Sequence, residues 1–202
     1  MTVDSLFEQL KHPNPNLRER AIVELAESYD EQTIARLMAN LLEDDVVYRR
    51  ASVKALGYIG PDSVPSLVQR LQSSESPTER ASCTKALTQV AVRHTDTPFP
   101  EEGLQALQQA LEDPAPVVNI SAVMALGQVG EPALDILLNA LKTTENIAIS
   151  VAILNALGSV DSEKVVTVLT EFSQNADVDT YLRESATSAL SRLELVKQYS
   201  PD

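Results

Sequence analysis

The sequence predicts an all-α protein, a right-handed α-solenoid of about six helix pairs. An Ala-Leu-Gly box recurs along the chain, intact at residues 55–57, 125–127 and 156–158. The leucines of these boxes and of three degraded copies lie at positions 25, 56, 87, 126, 157 and 190, so that every interval but one is 31 or 33 residues. Self-similarity at such a period is typical of repeat proteins, whose units bury their apolar faces against their neighbours.

The composition agrees with packed helices and argues against several other classes. The 202 residues are 44% hydrophobic but only 4% aromatic, and tryptophan is absent, which suits close contact between helices. The single cysteine, Cys83, excludes an internal disulfide and a metal site built from several thiolates. No apolar run is long enough to span a membrane, and Asp4 and Glu8 do not fit a signal peptide. We therefore expect a soluble, cytoplasmic protein with no membrane span.

The charge of the chain is strongly negative and unevenly distributed. The formal net charge is −13, of which residues 1–100 contribute −3 and residues 101–202 contribute −10. A protein that binds nucleic acid needs a basic face to displace counterions from the phosphates. We therefore do not expect a nucleic-acid partner.

Each repeat is predicted to consist of a helix A, a short polar or proline-containing link, and a helix B that carries the box. In the second repeat, helix A is expected over about residues 31–42 and helix B over about 46–59; in the fifth, helix B is expected over about 147–160. The repeats form one domain over residues 1–202, with units at about 3–29, 30–60, 61–94, 100–130, 131–160 and 161–195.

The interval of 39 residues between Leu87 and Leu126 indicates an insertion at about residues 94–100. Insertions in solenoids emerge as loops on one face and often contact ligands. Phe99 lies between two prolines in this segment. It is either an exposed anchor for a partner or a side chain that packs back over the repeat junction.

Two columns of helix B are predicted to belong to the framework. The positions three and four residues before each box leucine are mostly small or apolar and share its helical face, so Cys83 is expected to be a small core residue rather than a nucleophile. Seven residues before the leucine stands an arginine in four repeats, where a guanidinium can reach carboxylates or carbonyls of the links, such as Asp44 or Glu75. We interpret this column as a structural ladder, with a row of anion-binding side chains as the alternative; its members are Arg18, Arg49, Arg80 and Arg183.

Residues 47–60 read Val-Tyr-Arg-Arg-Ala-Ser-Val-Lys-Ala-Leu-Gly-Tyr-Ile-Gly. This segment resembles the short HEAT repeat of phycobilisome lyases and related cyanobacterial proteins, in which an acid-rich turn precedes Val-Arg and then Ala-Leu-Gly-x-Ile-Gly. The resemblance covers essentially the whole chain and implies its fold more specifically than its activity. The fourth and fifth repeats depart from the pattern, with Asn119 and Ser150 in place of the arginine.

The outward residues of helix B are the predicted binding surface, because helix B lines the concave side in HEAT-like solenoids. Helical geometry brings together the positions six before, two before and two after each box leucine. Helix B of the fifth repeat has no charged residue, which is typical of a buried helix or of one that faces a partner. We therefore predict a docking patch with a cationic rim. The docking patch comprises Ile120, Met124, Val151 and Asn155, and the cationic rim comprises Arg50, Lys54 and Lys85, with Tyr58 beside them.

These residues favour a binding protein over an enzyme. The two histidines lie in separate links, and the sequence has neither a glycine-rich phosphate loop nor a His-x-x-x-His metal spacing. The first hypothesis is a non-catalytic scaffold or adaptor without a cofactor, which binds a phycobiliprotein, a second HEAT chain or a cofactor-assembly protein such as an iron–sulfur carrier. The alternative, implied by the resemblance, is a phycobilin lyase or lyase subunit that acts on a phycobiliprotein cysteine. Only this alternative involves a bilin, whose propionates would meet Arg50, Lys54 and Lys85.

Overall fold

The computed structural model describes residues 2–199, and the side chains of residues 2–195. The described residues form α-helices and short 3₁₀ turns and no β-strand, which confirms the predicted all-α class. The helices are α1 (Val3–Gln9), α2 (Pro15–Glu27), α3 (Glu31–Ala39), α4 (Val46–Ile59), α5 (Val64–Ser73), α6 (Pro77–Arg93), α7 (Glu101–Ala110), α8 (Pro116–Val129), α9 (Leu134–Thr143), α10 (Ile147–Leu157), α11 (Glu163–Gln174) and α12 (Thr180–Tyr199).

The helices alternate as the predicted A and B partners, so that the even-numbered helices carry the boxes. In the second repeat, α3 continues as a 3₁₀ turn over Asn40–Leu42 and α4 covers Val46–Ile59, at the predicted bounds. The fifth repeat differs, because α10 ends at Leu157 and not near Val160. There the backbone tightens after Gly158, as Ser159 and Val160 donate to carbonyls three residues earlier, the pattern that commonly closes a helix.

A column of capping residues fixes where most B helices begin. The residue eleven positions before the box leucine accepts a hydrogen bond from a backbone N–H of the first turn, which satisfies a donor that has no partner within the helix. The capping residues are Asn14, Asp45, Ser76, Asn146 and Asp179. Many of the acidic and polar link residues therefore serve as N-caps of helix B.

The chain packs as two compact units, Met1–Ala125 and Leu126–Asp202. Within the first, the box leucines Leu25, Leu56 and Leu87 are almost completely buried; within the second, Leu126 and Leu157 are buried. The sixth box leucine, Leu190, is only half-buried. The assignment of residues 1–202 to a single domain stays a prediction.

The glycine of the box lets neighbouring B helices come into contact. In the first unit, a Cβ atom added to Gly57 would lie 2.1 Å from Cβ of Gln89 on α6. In the second unit, the equivalent distances are 2.8 Å from Gly127 to Ala156 and 3.0 Å from Gly158 to Ala189. A side chain at Gly57 or Gly127 would overlap the adjacent helix, so glycine is a steric requirement of the packing at these two positions, whereas at Gly158 the contact would be tight.

The insertion at residues 94–100 packs back onto the first unit. His94 Nε2 lies 3.1 Å from the carbonyl oxygen of Gly57, and its ring covers Gly60, whose positive φ of 84° favours glycine. Phe99 is half-buried, with its ring next to Gly103 at the start of α7. The loop therefore covers the ends of α4 and α7, and Phe99 is not a fully exposed anchor.

We predict that Gly57→Ala lowers the free energy of unfolding by about 1–3 kcal/mol, because α4 and α6 must separate to admit the methyl group. In an unhindered helix the same change would stabilise by about 1 kcal/mol. Urea unfolding followed by circular dichroism measures the difference.

Gly158→Ala is the matched control, since its Cβ would lie 3.0 Å from Ala189 rather than 2.1 Å from Gln89. Its destabilisation should be clearly smaller than that of Gly57→Ala. A Gly57→Ala protein as stable as the wild type would refute the packing account.

Candidate functional site

The arginine column of the B helices binds the links in the first unit. Arg18 Nη1 donates to the carbonyl of His12 at 2.5 Å, Arg49 donates to that of Glu43, and Arg80 to that of Ser74 at 3.0 Å. Each acceptor lies six residues before its arginine, so the side chain folds back over the link of its own repeat. These bonds run to backbone carbonyls of the links, one of the two kinds of acceptor that the sequence suggested, and not to the carboxylates of Asp44 or Glu75.

Asn119 performs the same task where the arginine is missing. Its Nδ2 donates to the carbonyl of Asp113, again six residues earlier, at 3.2 Å. The fourth repeat therefore keeps the bond with a shorter side chain. What the column conserves is a side-chain N–H donor to the link carbonyl. A search for arginine alone did not identify Asn119 as such a donor.

Arg80 also connects two repeats. Its Nε and Nη2 bind the two carboxylate oxygens of Asp113 in the fourth-repeat link, at 2.6 and 2.9 Å. The side chains are only 13% and 10% exposed. The hydrogen bonds from Arg80 hold the pKa of Asp113 below its usual range, and the same bonds raise the pKa of Arg80. This pair joins one repeat to the next, as the ladder interpretation proposed.

The cationic rim is partly neutralised within the first unit. Glu19 on α2 forms an ion pair with Lys54 and accepts a hydrogen bond from Tyr58 Oη at 2.5 Å. The guanidinium of Arg93 lies 3.7 Å from the centroid of the Tyr58 ring, a cation–π contact. Burial favours a higher pKa of Glu19, but the bonds from Lys54 and Tyr58 outweigh it and lower the pKa. Arg50 and Lys85 are exposed on the same helices.

Sequence reasoning missed Glu19 and Arg93 as members of this group. Glu19 stands six residues before the degraded box leucine Leu25, so applying the same offsets to the first repeat would have found it. Arg93 lies six residues after Leu87, one turn beyond the offsets considered. Its contact with Tyr58 depends on the packing of α6 against α4, which a single-helix pattern does not contain.

In the first unit, the predicted docking residues lie on α8. Met124 is 60% exposed and Ile120 is half-buried. The whole of α8 lacks charged side chains, a property that the sequence reasoning noticed only for the fifth repeat. An exposed methionine on a helix without charges provides an adaptable apolar contact.

In the second unit, the predicted docking residues lie on α10. Val151 is half-buried and Asn155 is exposed. Asn155 Oδ1 accepts a hydrogen bond from Arg192 Nη2 at 2.9 Å, so its side chain is oriented by α12. Ile147, at the start of the helix, is 49% exposed and extends the apolar surface beyond the predicted residues.

The side chains with potential for chemistry are dispersed or buried. Among the described residues, no group of three or more His, Cys, Asp and Glu side chains is placed to hold a metal ion. Cys83 is completely buried, and burial, with Glu79 adding to it, raises the pKa of its thiol to about 12. Because the thiolate is the nucleophilic form, Cys83 is an inert core residue at neutral pH. None of the described helices is long and apolar enough to cross a membrane.

The HEAT-repeat family profile matches residues 3–93 and 103–191. The chain belongs to the HEAT-repeat family. The unmatched residues 94–102 between the two HEAT segments contain the insertion that packs over Gly57 and Gly60. The profile match therefore agrees with the short HEAT repeat recognised in the sequence. It also agrees with the helix pairs of the structure.

Two cyanobacterial relatives match this HEAT protein over most of its length. The uncharacterized phycocyanin operon protein Z of Pseudanabaena tenuis (strain PCC 7409) is 49% identical over 196 residues, which cover 97% of both chains. The bilin biosynthesis protein CpeZ of Synechococcus sp. (strain WH8020) is 33% identical over 178 residues, which cover 85% of this chain and 95% of the relative.

The fold also resembles a solved structure, that of the complex of CpcE and CpcF of phycocyanin lyase from Nostoc sp. PCC7120. The similarity covers 76% of this chain and 96% of the compared chain, with a TM-score of 0.52 and 18% identity. At this identity the likeness concerns the fold alone.

We predict that Asp113→Asn destabilises the protein by about 2–4 kcal/mol at neutral pH, because it leaves the guanidinium of Arg80 buried without its carboxylate. The folded-state pKa of Asp113 is depressed, so its contribution is present above an unfolded-state pKa of about 3.9 and is lost as the pH falls through the folded-state pKa. The difference between wild type and variant should therefore shrink in acid.

Urea unfolding at several pH values measures this difference. Asp44→Asn is the control, since Asp44 is an exposed link carboxylate, and it should change stability by less than about 0.5 kcal/mol. A difference between wild type and Asp113→Asn that does not vary with pH would contradict the assigned ion pair.

Proposed function

We propose that this chain is a non-catalytic protein-binding subunit that assists the attachment of bilins to phycobiliproteins. Its partner is a protein of that process, either a phycobiliprotein subunit before bilin attachment or a second HEAT chain. The names of the relatives, a bilin biosynthesis protein and a phycocyanin operon protein, support this context. No bound cofactor is part of the proposal.

The observation that carries the proposal is the exposed apolar surface of the charge-free B helices. The chain has a net charge of −13, yet neither α8 nor α10 has a charged side chain. Met124 on α8 and Ile147 on α10 are among the most exposed large apolar side chains. Apolar side chains exposed to water cost free energy that a partner recovers by covering them, and such residues are typical centres of binding surfaces.

The cationic side chains of the first unit orient the approaching partner and take no part in a reaction. Arg50 and Lys85 are exposed on α4 and α6, while Glu19 holds Lys54 and Tyr58 in place. Charged groups at the edge of an apolar contact mainly increase the association rate and the specificity. An acidic partner surface would therefore be attracted to this part of an otherwise negative protein.

We predict that Met124→Glu weakens binding to the partner by at least about tenfold, because a charge placed in an apolar contact must be desolvated. The fold should persist, since Met124 is 60% exposed. Purified apo-phycocyanin subunits and a co-expressed lyase chain are tested separately against the tagged protein, with binding measured by surface plasmon resonance.

Gln108→Glu is the matched control, because it adds the same charge at an exposed position of α7 in the first unit. Val151→Glu tests the second unit independently. Unchanged binding of both Met124→Glu and Val151→Glu would refute the helix-B surface as the docking site. Binding only to an iron–sulfur carrier would refute the bilin context.

The lyase alternative is decided by the same purified components. The chain is incubated with free bilin and an apo-phycocyanin subunit, and covalent attachment is measured by the fluorescence of the denatured subunit. Attachment that requires a second lyase chain, with this chain only increasing its yield, agrees with the proposal. Attachment by this chain alone would refute the non-catalytic assignment.

A further inference from the structure

Three cations of the first unit are exposed and form no ion pair with the described residues. They are Arg50 on α4, and Lys85 and Arg93 on α6. The ion pairs of the described residues engage other cations, namely Lys11, Arg36, Lys54, Arg70, Arg80 and Lys164. In a chain with a net charge of −13, a group of free positive charges on two helices indicates a surface that attracts acidic groups.

The packing of α4 against α6 brings these cations to one surface. A Cβ atom added to Gly57 on α4 would lie 2.1 Å from Cβ of Gln89 on α6. Lys85 lies one turn before Gln89, so it is level with the middle of α4, where Lys54 is located. Arg50 lies one turn before Lys54 and shares its helical face. We call this surface the cationic face; it comprises Arg50, Lys54, Lys85 and Arg93.

Arg93 is held over a tyrosine in an orientation that suits a carboxylate. Its guanidinium lies 3.7 Å from the centroid of the Tyr58 ring, and the ring is fixed by the hydrogen bond from Tyr58 Oη to Glu19. A guanidinium over a ring uses its flat face, whereas its N–H donors point outward in its plane. Because Arg93 is exposed, these donors remain available for the bidentate contact that arginine prefers with a carboxylate.

Glu19 does not neutralise the cationic face. One of its carboxylate oxygens binds Lys54 and the other accepts the hydrogen bond from Tyr58. The four cations of the face and this one carboxylate together leave a net charge of +3. A partner that supplies three carboxylates would balance this charge.

The spacing of the cations favours a polypeptide segment over a small anion. Arg93 lies eight residues after Lys85, which corresponds to about 12 Å along α6. The helices α4 and α6 are in contact, and the axes of packed helices lie about 8–10 Å apart. One phosphate or carboxylate cannot reach cations at these separations, whereas an extended segment of about five residues, at about 3.3 Å per residue, can. Val92, which is 48% exposed and lies two turns after Lys85, adds an apolar contact.

We propose that the cationic face binds an extended acidic segment of a partner protein, with at least three carboxylates and one apolar side chain. The carboxylates pair with Arg50, Lys85 and Arg93, and the apolar side chain covers Val92. The proposal rests on the proposed function only in that the ligand is a protein, and it adds a binding site distinct from the docking patch. The strongly negative chain repels a nucleic acid, which would otherwise compete for such a surface.

A capped, fluorescein-labelled peptide of the sequence Asp-Glu-Leu-Asp-Glu is the probe, and Asn-Gln-Leu-Asn-Gln is its uncharged counterpart. Fluorescence anisotropy with the full chain should show saturable binding of the acidic peptide at low salt, which weakens as salt is added. The uncharged peptide should bind much more weakly. No saturable binding of the acidic peptide, or equal binding of the two peptides, would overturn the proposal. Tighter binding of a single-stranded oligonucleotide of matched charge would show that the ligand is not a polypeptide.

Variants of the cationic face distinguish a specific site from general electrostatic attraction. The double variant Arg50→Gln, Lys85→Gln should weaken peptide binding by at least about tenfold, and Arg93→Gln by at least about fivefold, since each removes charge-assisted contacts. Lys142→Gln is the control, because it removes an exposed cation from α9 in the second unit, and it should bind as the wild type does. Tyr58→Leu keeps every charge but removes the ring below Arg93, and it should still weaken binding several-fold.

Circular dichroism and urea unfolding establish that each variant is folded before its affinity is interpreted. Unchanged affinity in the folded double variant and in folded Arg93→Gln would refute the site. Unchanged affinity in folded Tyr58→Leu would refute the role of the ring in orienting Arg93. An oligomer of the chain that the acidic peptide dissociates, detected by size-exclusion chromatography with light scattering, would show that the occupant is a second copy and not another protein.

The proposed function and the acidic-segment site fail separately in these experiments. Met124→Glu, which tests the docking patch, should bind the peptide as the wild type does. Peptide binding in the absence of binding to apo-phycocyanin subunits and to the lyase chain would contradict the proposed function and support the cationic face as a site. Binding of either protein without binding of the peptide would support the proposed function and refute this site.

Discussion

Neighbouring B helices come so close at the Ala-Leu-Gly box that even a methyl group at the glycine would overlap the adjacent helix. At Gly57 the overlap would involve Cβ of Gln89, and at Gly127 that of Ala156. Close packing at this point requires small residues around the box, and a leucine column buries the apolar area that stabilises the contact. The low aromatic content of the chain, 4%, agrees with this constraint.

The constraint also explains why the links are polar. A short repeat leaves only a few residues between helices A and B, and each helix start exposes backbone donors that need partners. Asp45 and Ser76 cap these donors, while Arg49 and Arg80 bind the link carbonyls from within helix B. Much of the polar chemistry near the links is therefore structural, and a function assigned from such residues alone would be misplaced.

The sequence was sufficient for the fold because its signals are local. Box spacing, prolines and link residues predicted the helix pairs, and the bounds of α4 agree with the structure. The end of α10 was placed about three residues late, because the chain tightens into a different hydrogen-bond pattern after Gly158 without a proline to mark it. Periodicity reports which face of a helix is buried more reliably than where the helix ends.

The side-chain partners of the candidate site were less predictable, since they depend on contacts between repeats. The offsets from the box leucine identified Lys54 and Tyr58 as outward residues. Their contacts with Glu19 and Arg93 depend on how α2, α4 and α6 pack, which those offsets do not contain. Similarly, the column grouped Arg183 with Arg80 although only Arg80 has a carboxylate partner in the described chain. Identical framework residues acquire different roles when the neighbouring repeat supplies different atoms.

This difference gives a rule for finding function in a repeat protein of this kind. Residues that recur in register are first assigned to the framework, and function is sought where a repeat departs from its neighbours. The departures are the absence of charge from α8 and α10 and the buried Nε of Arg183, which has no hydrogen-bond partner among the described residues. The helix packing does not require an uncharged side chain at Met124, because this residue is mostly exposed. The second leaves a buried donor unsatisfied, which costs stability. Because these features do not stabilise the fold, we attribute them to the binding of a partner.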